Sequence, residues 1–269
     1  MSTILYIYIF FIGITFGSFF TLAVYRIPEG KNITHERSYC PKCKHKLSFL
    51  DMIPLFSYMF LKGRCRYCKE KIRPRYFLLE LFSGLVFVLF AASIKLNIYT
   101  LNISTIVYFI FGLLYIAGLF IISGIDKERK QIQNEVILYL AIIEAIYMIY
   151  LYIVENANIY RYVIYLMILI LLLIINTIYF RKKLKSNYAF ENLILLTIMV
   201  IFTYEYCSFL TVTYTLLSIA IKLLIDKIRV KRTKYVKKDK QIIIPIGFYL
   251  CVTNIITLIM TNILIFYRW

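Results

Sequence analysis

Histidine is nearly missing: His35 and His45 are the only two in 269 residues, and both fall in one short segment. A Ser–His–Asp hydrolase has no histidine to draw on elsewhere, and no Gly-x-Ser-x-Gly occurs to present its nucleophile. His-Glu-x-x-His, a phosphate-cradling glycine loop and Gly-x-Gly-x-x-Gly are absent too, which removes the usual zinc-protease, nucleotide-hydrolase and dinucleotide-binding signatures. Acids are scarce: 14 Asp and Glu stand against 32 Lys and Arg, for a net charge of +18. Internal repeats and low-complexity linkers are lacking. Apolar residues fill the space these absences leave, at 61% hydrophobic and 17% aromatic, with a mean hydropathy of +0.76. A soluble domain carries about 45–50% apolar residues, so this composition describes an all-α, polytopic helical membrane protein.

Apolar runs cut by charge or turn clusters predict about eight transmembrane helices, near 3–25, 77–95, 104–124, 135–154, 161–180, 190–205, 207–226 and 241–267. Only the thin separator TYEYCS divides the sixth from the seventh. The first run lacks the positive leading segment of a cleaved signal peptide and is followed, not preceded, by basic residues, so it reads as a retained span. Of 32 Lys and Arg, 29 fall in segments after odd-numbered spans: 26–76, 127–130, 181–185 and 222–240. Positive charge marks the cytoplasmic side, so both termini are expected outside and the 26–76 loop inside. The same distribution accounts for +18 through topology and anionic lipid contact, with no call on nucleic acid. Three parts follow: a first transmembrane helix at 1–25, a cytoplasmic loop at 26–76, and a transmembrane bundle at 77–269.

The loop contains CPKCKHKLSFLDMIPLFSYMFLKGRCRYC, residues 40–68, with Cys-x-x-Cys pairs at Cys40/Cys43 and Cys65/Cys68. Structural disulfides are rare in a reducing compartment, and paired Cys-x-x-Cys units there favour zinc. Four thiolates close the coordination sphere, so the expected insert is a small zinc-ribbon-like knot with a structural metal. A metal-free thiol set or a redox pair is the alternative. Cys207 and Cys251 lie in predicted spans and read as packing residues.

At this point the sequence resembles a known family. The stretch from Cys40 to Leu81, with GSFFTLAVYRIP (Gly17–Pro28) before it, is similar to the N-terminal cytoplasmic region of the type IV prepilin peptidases, densely over 12–84. IDKERKQIQNEVIL, from Ile125, resembles the family's first aspartate motif, and IIPIGFYL, ending at Leu250, resembles its Ile-Pro-Phe-Gly-Pro-Phe-Leu stretch in the last span. The resemblance implies a multi-pass protein of the bacterial inner (cytoplasmic) membrane. Its activity would be to cleave the short basic leader of type IV prepilins or pseudopilins on the cytoplasmic side. Many members also N-methylate the new terminus with S-adenosylmethionine, for which this sequence offers no cofactor motif.

Asp126 ends the apolar run GLLYIAGLFIISGI at the expected cytoplasmic surface. By itself it reads as a residue that terminates a span; the resemblance makes it the first catalytic aspartate. An aspartic peptidase needs a second carboxylate close by, so that one is ionised while the other keeps its proton. The family takes it from Gly-x-Gly-Asp at the start of span six, and no such motif occurs here. Glu191 is the only acid between Glu155 and Glu205, and alignment there places Tyr188 and Phe190 at the glycine positions. Its carboxylate is the same group on a longer arm, so the expected pair is Asp126 and Glu191. The alternative is a catalytically impaired homologue acting as a pilin-binding membrane scaffold. Glu144, near mid-membrane in span four, raises a third reading, a small transporter. Glu80, following Arg73 and Arg75, reads as their partner; Asp51, Asp226, His35 and His45 read as interfacial or solvated.

Overall fold

The computed structural model describes residues 2–33, 38–97, 99, 102–155, 159–180, 188–232 and 244–267; His35, the basic loop 181–185, most of the basic stretch 227–240 and residues 241–243 lie outside them. The main helices are α1 (Ser2–Arg26), a short α2 (Phe56–Phe60), α3 (Arg75–Ser93), α4 (Ile103–Arg129), α5 (Asn134–Glu155), α6 (Ile159–Ile175), α7 (Tyr188–Arg232) and α8 (Ile246–Tyr267). Among the described residues, seven helices are long and apolar enough to cross a membrane, which makes this a multi-pass helical membrane protein.

The eighth span is hidden inside α7, whose 45 residues are interrupted at Tyr204 by a non-helical backbone (φ 65, ψ 163). If α7 ran straight, Ala189 and Leu216 would be about 40 Å apart at 1.5 Å per residue. Instead both line one cavity of about 250 Å³ with Asn192, Val212 and Thr215. Residues 188–203 and 205–232 are therefore antiparallel limbs of a hairpin, and the Thr203 and Ser208 hydroxyls meet at 3.2 Å beside the reversal. Arg161 of α6 holds the tip, donating to Glu205 at 2.7 Å and to the Val200 carbonyl at 2.8 Å with its guanidinium over the Tyr204 ring. The TYEYCS separator is thus the hairpin turn itself.

The chain forms two compact units. The first comprises 1–113 and 262–269, and its spine is the pairing of α1 with α3. Gly13 and Gly17 lie one turn apart on α1 and let the backbones touch: a Cβ at Gly17 would fall 2.7 Å from the Glu80 Cα, and one at Gly13 2.7 Å from the Gly84 Cα. Without a hydrophobic drive between helices in lipid, such close approach is what binds them. Pro28 and the left-handed Gly30 (φ 62) end α1 and release the chain into the loop that returns at Pro74.

The second unit, 114–261, holds the remainder of α4 with α5, α6, α7 and most of α8. A ladder of hydroxyls zips residues 205–232 to α8, with Thr211 to Thr257 at 2.8 Å and Thr215 to Thr253 at 2.7 Å. Asn254 joins the ladder through Thr211 and accepts from the Tyr115 hydroxyl of α4 at 2.7 Å. Polar side chains of this kind are the adhesive of helix bundles in lipid, each contributing about 0.6 kcal/mol. Cys207 and Cys251 are buried in their helices, as packing residues should be.

Candidate active site and four-cysteine cluster

Each Cys-x-x-Cys pair of the first unit forms the same knuckle. The Cys40 amide donates to the His45 carbonyl and the Lys44 amide to the Cys40 carbonyl; 25 residues on, Cys65 with Glu70 and Lys69 with Cys65 repeat the pattern. Lys44 and Lys69 both turn left-handed (φ 59 and 58). Isolated bridges Tyr39–Lys46 and Arg64–Lys71 close each turn, and a Lys42–Glu70 ion pair links the two. The four sulfurs all lie within 4.8 Å of one another, with Cys40 and Cys68 Sγ at 3.8 Å. A tetrahedral zinc bound at about 2.3 Å places its sulfurs about 3.8 Å apart, the Cys40–Cys68 spacing, so the four thiols form a donor set suited to a metal ion.

The thiols of the cluster perturb one another. Burial pushes the Cys40 thiol up, but the amides of Cys43 and Lys42 and the neighbouring thiols prevail and bring it down to about 7. At Cys68 the Glu70 amide pulls down, while burial and the other three thiols outweigh it and push the group up to about 11. One sulfur ionises readily and the last resists joining three others. Nearby, Asp51 is held by Ser48 and by Arg66 at 2.6 Å, and the His45 ring lies 3.6 Å from that of Tyr67. Glu80 faces inward to accept the Leu55 amide at 2.8 Å, a bond that residue spacing alone does not suggest.

The second unit gathers the predicted acids. Asp126 sits in the last turn of α4, which closes as the Lys130 amide donates to the Asp126 carbonyl with Lys130 left-handed (φ 57). Its side chain is fully buried. Pro245 starts α8, leaving the first amides of that helix without partners inside it. The Phe248 amide takes Asp126 Oδ2 as its acceptor at 2.8 Å, and the Gly247 amide takes the Tyr188 hydroxyl at 3.2 Å. Tyr188 in turn donates to the same Asp126 Oδ2 at 2.8 Å. One carboxylate oxygen is thus gripped by two donors at a helix N-terminus, whose dipole favours negative charge. The other, Oδ1, is buried with no hydrogen-bond partner among the described residues.

Glu191 lies in the first turn of α7, buried, and accepts from the Ile132 amide at 3.4 Å. Ile132 belongs to the short turn between α4 and α5, and its Cδ1 reaches 3.2 Å from where a Gly247 Cβ would stand. Asp126 Oδ2 and Asn192 Oδ1 come to 3.2 and 3.3 Å of that same point. Gly247 is therefore the floor of the cluster, and its missing side chain is what lets four elements converge. Ile132 links the two acids: its amide donates to Glu191, and its side chain and the Asp126 carboxylate both come to 3.2 Å of the Gly247 Cβ position. Sequence reasoning brought out both acids but missed Tyr188, Asn192, Ile132 and the two α8 amides. Glu144 of α5 stays outside the cluster; it is buried, and neither carboxylate oxygen has a partner among the described residues.

Comparison with known proteins agrees with the first unit's geometry. Residues 11–94 match the family described as the bacterial peptidase A24 N-terminal domain. A prepilin leader peptidase/N-methyltransferase of Klebsiella pneumoniae is 35% identical over 129 residues, covering 46% of this chain and 53% of that protein. One of Bacillus subtilis is 32% identical over 131 residues (49% of each), and one of Vibrio cholerae 44% over 78 residues (26% of this chain, 31% of that protein). The chain thus spans about half the length, or less, of the curated relatives it matches. No solved structure matches it. Residues 11–94 thus match the N-terminal domain of a bacterial peptidase family, and the chain is similar over about half its length or less to prepilin leader peptidase/N-methyltransferases.

Proposed function

We propose that this protein is a membrane aspartic endopeptidase that removes the leader peptide of type IV prepilins or pseudopilins on the cytoplasmic side, with Asp126 and Glu191 as its catalytic pair. The observation that carries the reading is that two buried acids share Ile132 as a neighbour, its amide donating to Glu191 and its side chain standing with Asp126 beside Gly247, while Asp126 Oδ1 has no partner among the described residues. A residue that merely terminated a span would have no reason to receive a phenol and a helix N-terminus from segments 62 and 122 residues away.

The bonding divides the labour. Two strong donors on Oδ2 stabilise Asp126 as the ionised member, while the single long bond to Glu191 leaves that carboxyl the proton. Asp126 Oδ1 takes a proton from water as the oxygen attacks the scissile carbonyl, and Glu191 protonates the carbonyl oxygen. Collapse of the tetrahedral intermediate returns that proton to Glu191 and passes the one on Asp126 to the leaving amine, giving a leader carboxylate and a free pilin N-terminus. The longer arm of Glu191 reaches the turn between α4 and α5, where the Ile132 amide donates to its carboxylate at 3.4 Å.

The relatives' names carry an N-methyltransferase as well, so methylation of the new terminus with S-adenosylmethionine belongs to the proposal. The four cysteines, by the same reading, hold structural zinc in the cytoplasmic 26–76 loop, with both termini outside, the first helix at 1–25 and the catalytic bundle at 77–269. Purified protein in detergent, mixed with a prepilin, tests the activity. Processing is expected from the native chain and not from Asp126→Asn; stable prepilin capture without cleavage would replace this reading with the scaffold.

A further inference from the structure

The loop of the first unit carries apolar side chains where a zinc knot has no use for them. Between the two knuckles, residues 49–60 expose Phe49 (79%), Leu50 (62%), Phe56, Met59 (63%) and Phe60 (82%). Several large apolar side chains exposed together on one loop mark an interaction surface. The segment is pinned to α3 twice: the Leu55 amide donates to Glu80 at 2.8 Å, and the Tyr58 ring stacks on Phe77 at 5.2 Å. Leu55 takes a left-handed backbone (φ 61) at that anchor, turning Phe56–Phe60 back on the chain. Phe77 and Glu80 lie two and five residues inside a membrane-crossing helix, about 3 and 7.5 Å past its start at 1.5 Å per residue. Whatever is fastened there sits at the depth where headgroups give way to acyl chains.

Charge decides the occupant. Residues 38–76 carry ten Lys and Arg against two acids, Asp51 and Glu70. A recess of about 460 Å³ beside Phe60 and Leu61 is walled by Lys62, Arg64 and Lys69. Apolar tips next to a basic recess suit an anionic lipid leaflet, phosphates in the recess and acyl chains against the rings. A basic leader peptide would be repelled by the same cations.

We infer that residues 49–60 are an interfacial wedge: Phe49, Leu50, Phe56, Met59 and Phe60 enter the acyl boundary, and Lys62, Arg64 and Lys69 bind anionic lipid headgroups. The inference stands apart from the peptidase reading, because its test measures depth and not cleavage. Trp269 is the only tryptophan, so Trp269→Phe gives a silent background for Phe60→Trp and, separately, Met59→Trp in the full chain. Reconstituted in vesicles of phosphatidylcholine with phosphatidylglycerol, both reporters should emit blue-shifted and lose at least half their intensity to lipids brominated near the headgroup end of the chain. Replacing Lys62, Arg64 and Lys69 by Gln should remove any extra quenching that phosphatidylglycerol gives over phosphatidylcholine alone. Water-like emission with no quenching in either lipid overturns the wedge. So does quenching that disappears on adding a prepilin, which would assign the patch to the peptide.

Discussion

The four thiols and the buried acids are assembled in opposite ways. The knot's ligands come from two five-residue turns, each closed by its own backbone bonds and repeated 25 residues apart. Within each turn every backbone contact is local, and only the meeting of the two turns, through the thiols and the Lys42–Glu70 pair, spans 28 residues. The acid cluster draws on the end of α4, the turn at Ile132, the start of α7 and the start of α8, with pairs up to 122 residues apart. A local site must keep its motif to keep its shape. A site assembled from distant elements can change one contributor if another fills the gap, and the proposed pairing of Asp126 with Glu191 in place of a Gly-x-Gly-Asp aspartate would be such an exchange.

If that contrast is right, the knot should fail all at once. Replacing Cys40 and Cys65 by Ser should abolish bound zinc by metal analysis and unfold the insert, since structural zinc in small domains supplies about 10–16 kcal/mol of folding free energy. The metal displaces protons from the thiols, so apparent zinc affinity should rise with pH between about 7, where Cys40 ionises, and about 11, where Cys68 follows. Affinity that is flat across that window would contradict thiolate ligation.

The acid cluster should degrade by degrees. Gly247→Ala inserts a methyl 3.2–3.3 Å from Asp126, Ile132 and Asn192, tighter than ordinary contact. The neighbours must move by tenths of an ångström, and kcat should fall by about 10²-fold, since catalytic alignment tolerates little displacement. The protein should still fold, which melting in detergent would check. Tyr188→Phe removes one donor from Asp126 and should lower kcat about tenfold with KM nearly unchanged, in line with a hydrogen bond of about 1–1.5 kcal/mol. Unchanged kcat would make the phenol a space filler.

Much of this was legible beforehand, and the boundary between what was and was not is physical. Apolar runs and one-sided Lys and Arg sufficed for the spans, because lipid demands length and purity of a helix. TYEYCS was legible as a separator but not as a hairpin; its reversal depends on Tyr204 and on Arg161, a residue 43 positions earlier. The cysteines revealed the knot through spacing alone. Asp126 and Glu191 stood out as acids at membrane edges, yet nothing near them in sequence announces Tyr188's role, since a tyrosine beside an apolar helix is commonplace in membrane proteins. One signal was available at Pro245–Phe248: a proline that opens a helix bares amides able to hold an anion. Glu80 shows the reverse case, an acid whose arginine neighbours in sequence suggested a pairing while the structure gives it the Leu55 amide.

The central claim is that Glu191 has taken the place of the second aspartate. The direct measurement is single-turnover cleavage of a prepilin by purified Glu191→Gln, beside the native protein and Asp126→Asn. The account predicts that Glu191→Gln loses about 10²–10⁴-fold in rate, as removal of a general acid does, and that Glu191→Asp recovers part of it. Native-rate cleavage by Glu191→Gln, with Asp126→Asn inactive, would contradict it.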